Sequence, residues 1–147
     1  MRDAISNHTV VNLGELALSG TTPGVSDYVD TRGYDSVSIV LLTGTVTDAG
    51  TVDGFTAVLE ESADTTGAAA SAVVAADTVN LVNTIQVTAD TDDNVNAGGM
   101  GYNGTERYVG ATVTGTAGTS ANVTVLAILH RPHRAPADFV GTSVART

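Results

Sequence analysis

The sequence predicts an all-β domain, a single β-sandwich of the jelly-roll type with extended N- and C-terminal arms. Three observations carry this. Valine (21) and threonine (23) dominate the 147 residues, and β-branched side chains suit a pleated, half-buried surface better than a helix. Sixteen glycines break the chain at short intervals, as turns between strands require. Apolar residues recur at every second position in several stretches, the mark of strands with one face in a core.

The elements follow in order. Strands are expected over residues 9–18 and 27–30. Residues 36–42 place Val37, Ile39 and Leu41 on one face, with Ser36 and Ser38 beginning the other. Residues 55–61 and 79–87 continue the series. Between them, residues 68–76 hold six alanines, and helix and extended chain fit equally, because Gly67, Ser71, Val73 and Val74 weaken a helix. In residues 107–114, Val109, Ala111 and Val113 alternate with Gly110, Thr112 and Thr114. In residues 122–129, Val123, Val125, Ala127 and Leu129 share a face, while Leu126 and Ile128 suggest cover on the other side too. Turns are expected at residues 20–24, 31–33, 48–54, 90–101 and 115–120. The cysteine and tryptophan markers of immunoglobulin domains are absent, which favours a jelly roll. Pro132 and Pro136 lack a ladder donor. Residues 130–147 therefore read as an arm on a core of about residues 9–129, with residues 1–8 similar, all within one domain.

Composition narrows the function. Without cysteine there are no disulfides, zinc ribbons or thiol nucleophiles. The longest apolar run, residues 125–129, is too short to span a membrane, and no signal peptide is expected. Sixteen acids against six arginines and no lysine give a net charge of −10, which repels phosphate backbones and argues against nucleic-acid binding. The charge is uneven: of the arginines, Arg107, Arg131, Arg134 and Arg146 fall after residue 94, with only Glu106 and Asp138 as acids there. That end is mildly basic and suited to an acidic partner.

Motifs of chemistry are sparse. Asp90, Asp92 and Asn94 open like a calcium loop, but Val95 stands where a sharp-turn glycine belongs and Gly101 where a bidentate glutamate belongs; a solvated turn is the favoured reading. His130 and His133 are separated by Pro132 and flanked by Arg131 and Arg134, a pattern for pairing with carboxylates more than for a metal. Glu60 and Glu61 are adjacent on a strand and point to opposite faces, which is unsuited to paired acid–base work. No nucleophile elbow, phosphate loop or dinucleotide fingerprint is present. No enzyme activity, cofactor or metal is expected. Tyr102, Arg107 and Tyr108 read as a structural anchor, with Arg107 stacking on a tyrosine or pairing with Glu60, Glu61 or Asp64.

Several landmarks resemble a family of small tailed-bacteriophage virion proteins encoded among head genes. They are the start Met1-Arg2-Asp3, the strand opening Gly33-Tyr34-Asp35-Ser36, and the stretch from Gly44 to Gly54. Val58-Leu59-Glu60-Glu61-Ser62-Ala63-Asp64 is similar to the family's Leu-Gln-Glu-Ser-Asp-Asp, and Gly104-Thr105-Glu106-Arg107-Tyr108-Val109 to its Gly-Ser-Lys-Arg-Tyr-Val. The apolar strand running into His130-Arg131-Pro132-His133-Arg134-Ala135-Pro136 completes the set. The resemblance covers roughly residues 1–136; Glu106 replaces a usual basic residue, and the tail after Pro136 is longer. It implies a non-enzymatic capsid decoration (cement) protein on the virion surface, made in the host bacterial cytoplasm. The implied partners are the major capsid protein and copies of itself, as a homotrimer by analogy. Contacts are expected from Arg2, His130, Arg131, His133, Arg134 and Phe139. The alternatives are a low-copy head–tail connector or head-fibre base, or a carbohydrate-binding or adhesin sandwich.

Overall fold

Alternation along the longest strands turns one row of side chains inward and leaves the other outward, so two sheets close on a shared interior. A computed structural model describes residues 7–133. Its strands are β1 (His8–Ser19), β2 (Gly24–Val25), β3 (Val29–Asp30), β4 (Tyr34–Asp48), β5 (Phe55–Ser62), β6 (Ser71–Ala72), β7 (Thr84–Val87), β8 (Asn96–Tyr102), β9 (Tyr108–Thr114) and β10 (Ser120–Pro132). The first sheet has the order β1-β10-β4-β8. In the second, β9 and β5 are central; β2 and β3 lie along the free edge of β9, and β6 and β7 along that of β5. Each of these short pairs is one strand interrupted by a loop. With the pairs merged, the two antiparallel sheets carry the strand order of a jelly roll, as the sequence predicts.

The core lies between the sheets. Val37, Ile39 and Leu41 of β4, Met100 of β8 and Val123, Val125 and Leu129 of β10 face Phe55, Ala57 and Leu59 of β5 and Val109, Ala111 and Val113 of β9, all buried. Where the edge strand breaks between β2 and β3, Ser26 keeps the chain on β9: its N–H donates to the Ala111 carbonyl at 3.0 Å, and its hydroxyl donates to the Asp27 carbonyl and accepts from the Ala111 N–H, both at 2.9 Å.

Four expectations need correction. Residues 90–101 are not all turn, since Asn96–Tyr102 forms β8 on the edge of β4. Its glycines are packing positions: a Cβ on Gly101 would lie 2.6 Å from a Val79 methyl. β4 runs past Gly44 to Asp48, bending against β10 through register shifts instead of turning. Of residues 79–87 only Thr84–Val87 is strand, preceded by single 3-10 turns at Ala75–Asp77 and Val79–Leu81. The alanine-rich stretch is therefore neither helix nor continuous strand. Finally, β10 continues through His130 and Arg131 to Pro132. Proline is tolerated because β1 begins opposite His130, so Pro132 pairs with Tyr34 of β4 beyond the start of β1.

Candidate partner-contact site

The antiparallel pairing of β1 with β10 sets His8 directly opposite His130. Both lie on the outer face of the first sheet. Their rings meet edge to face, with centroids 4.9 Å apart at 86°, and Ser38 Oγ lies 2.8 Å from His130 Nε2. Arg131 adopts a positive φ of 51°, and its side chain is exposed. The strand is then fastened to the loop before β4: the His133 N–H donates to the Gly33 carbonyl at 2.7 Å, and its imidazole meets Asp35 at 3.1 Å. Among the described residues, Asn7, His8, Ser36, Ser38, His130, Arg131 and Pro132 line a groove of about 730 Å³, and none of them is a carboxylate.

His130 and His133, read together from sequence, are thus separated; His130 belongs with His8 and Ser38, His133 with Asp35. His8 is the member that sequence reasoning missed, because only the cross-strand register brings it there. Arg2, Arg134 and Phe139 lie outside the described residues.

Partial burial, reinforced by His8, holds the His130 imidazole below its ordinary titration range. The unfolded chain then binds the proton more readily. Stability contributed by neutral His130 is full above about pH 6.5 and is lost as pH falls through the lower folded value. His130→Gln should flatten this part of the pH dependence, measured as urea midpoints between pH 7.5 and pH 5.

The anchor residues sit elsewhere. Arg107 forks onto Asp30, with Nη2 to Oδ2 at 2.7 Å and Nε to Oδ1 at 3.2 Å, and its guanidinium stacks 4.7 Å from the Tyr108 ring centroid. The partner is Asp30, not Glu60, Glu61 or Asp64, because β3 borders β9 on the side away from β5. Arg32 also reaches Asp30 at 3.1 Å. The Arg107 hydrogen bonds hold the Asp30 carboxyl well below the usual carboxylate range. Both side chains are substantially solvated, so Arg107→Ala should shift a denaturation midpoint only slightly. Glu60 and Glu61 do point apart: Glu60 accepts from Tyr28 at 2.6 Å and Thr112 at 2.8 Å, and Glu61 accepts from buried Tyr102 at 2.6 Å. Burial, then hydrogen bonding to the glutamates, raises both tyrosine hydroxyls above their ordinary range.

The Asp90 loop is a backbone clamp. Asp90 Oδ1 accepts from the Ala49 N–H at 2.8 Å, Asp93 Oδ1 from the Val46 N–H, and the Asp92 carbonyl from Thr43 Oγ1. Asn94 takes a positive φ and donates its N–H to the Gly44 carbonyl. Among the described residues no three His, Cys, Asp or Glu side chains converge. No helix among these residues is long and apolar enough to cross a membrane.

No family model and no curated protein matches the chain. Among solved structures it is similar to a chain from Bacillus endospore appendages, described as a family of disulfide-linked pili, at 18% identity over 90% of this chain and 96% of that one, with a TM-score of 0.39.

Proposed function

We propose that this chain is a non-enzymatic structural protein of a tailed-phage virion, a decoration protein bound in many copies to the outer surface of the head. The observation that carries the reading is the pairing of His8 with His130. It brings the start of β1 and the end of β10 to one pole, so residues 1–6 and 134–147 both attach there, beside a groove whose described lining holds no acid, on an otherwise acidic chain. A rigid body with both connecting segments at one pole suits attachment through extended main chain to neighbours. Repetition around a shell multiplies individually weak contacts. Jelly rolls recur in viral coats and in lectins, which is fold-level analogy only.

Full-length chain added to shells lacking it should bind to saturation. A chain ending at His133, which keeps β10 whole, should fold but bind at least about tenfold more weakly. Saturation by the shortened chain, or no binding by the full one, would overturn the reading.

A further inference from the structure

The groove at this pole does not end at His130. A second depression of about 410 Å³ shares Ser38 and His130 with it and continues across the outer face of the first sheet, lined by Val40, Ile128, Val79 and Val82 over the side-chain-free Gly99 and Gly101. The two adjoining depressions make a channel with a donor-rich end (Arg131, His130 and two serine hydroxyls) and an end lined mainly by apolar side chains beside Asn80. Among the described residues no carboxylate lines either part. Among the described arginines, Arg32 and Arg107 are both held by Asp30, while Arg131 has no ion pair with a described residue. Val79 and Val82 remain 45% and 40% exposed.

We infer that this channel receives the segment Asp138-Phe139-Val140 of a second copy of the chain. The ligand that fits is an extended segment with a carboxylate followed closely by an apolar side chain. After residue 106 the sequence contains one acid, Asp138, and Phe139 and Val140 follow it directly. In an extended segment residues two apart project to the same side, about 7 Å from each other. Asp138 and Val140 have that spacing, and so do the two ends of the channel: His130 and Ile128 on β10, Ser38 and Val40 on β4. The Asp138 carboxylate meets Arg131 and the donors around His130, and Val140 covers Ile128 and Val40.

The donor is a second copy because β10 leaves the pole heading away from the channel, fixed by the His133 bonds to Gly33 and Asp35. The inference needs no shell and stands apart from the proposed function.

The test is complementation in solution with full-length chains. Arg131→Ala, at an exposed side chain, disables the receiving channel and Asp138→Asn the inserted segment. Light scattering should show self-association of the unaltered chain and at least about tenfold weaker association for each variant alone. An equimolar mixture of the two variants should recover mixed pairs, since an intact segment then meets an intact channel. A monomeric unaltered chain, variants that associate like it, or a mixture no better than its components would each overturn the proposal. Circular dichroism of each variant separates loss of folding from loss of docking. The charge-exchanged chain, Arg131→Asp with Asp138→Arg, should regain association.

Discussion

Phe55→Ala should be the most destabilising single truncation in the core, costing about 3–5 kcal/mol. Phe55 opens β5, is fully buried and is the largest of the fully buried side chains. Its neighbours on the same inward row, Ala57 and Leu59, and those on β9, Val109, Ala111 and Val113, are also fully buried. Two of these are alanines, with no side chain able to swing into the space a phenyl ring vacates, and the surrounding strands are held by ladders on both edges of β5. The void would remain, and the loss would combine the transfer term with the cavity term. A domain of this size has only about 5–15 kcal/mol to lose. Val52→Ala, at a side chain 90% exposed three positions earlier, should stay within about 0.5 kcal/mol. Urea unfolding of the two variants beside the parent checks both numbers; equal midpoints would mean that β5 does not bury Phe55.

Gly54→Ala should be nearly as damaging, for a steric reason. Gly54 turns the chain into β5 at a φ of +59°. A Cβ there would lie 1.9 Å from the Val87 carbonyl oxygen and 2.7 Å from its carbonyl carbon, atoms of the backbone that pairs with Phe55. No rotamer change relieves that contact, so β7 must separate from β5 or the turn must rearrange. Gly20 provides the control: its φ is +58°, yet a Cβ would meet nothing within 4 Å. Gly20→Ala therefore isolates the conformational cost of the left-handed region, about 1–2 kcal/mol. Gly54→Ala should exceed it by about 2 kcal/mol or more, read as the difference in thermal or urea stability. Similar losses in the two variants would show that the β5–β7 edge yields freely.

The strands that announced themselves in the sequence are those with a large side chain at every second position. β1, β5 and β9 lie within a residue or two of where Leu16 and Leu18, Phe55 to Leu59 and Val109 to Val113 place them. β8 was hidden because Gly99 and Gly101 occupy its outward row and Gly98 lies on the inward side against Ile85. In sequence, three glycines signal a turn; in the sheet they leave room for Ile85 and Val79 to pack over the strand. Pro132 misleads likewise within β10. A proline says that one N–H is missing, but not whether a neighbouring strand is there to need it.

The site was legible in part. His130 and Arg131 do line the groove, and Tyr102 and Tyr108 are buried anchors. What the sequence withholds is partnership between distant strands. His8 reaches His130 only through the β1–β10 register, and Arg107 finds Asp30 only because β3 borders β9. Asp90 looked like a ligand because a carboxylate that caps a backbone N–H has the same local sequence as one awaiting a cation.

The most direct measurement is the copy number of this chain relative to the major capsid protein, by quantitative mass spectrometry of purified particles. A shell-wide decoration protein predicts on the order of hundreds of copies per particle, in fixed proportion to the capsid protein, as attachment by many repeated contacts requires. A dozen or so would contradict shell-wide decoration and assign the chain to a connector or fibre base, and absence from particles would contradict the virion reading altogether.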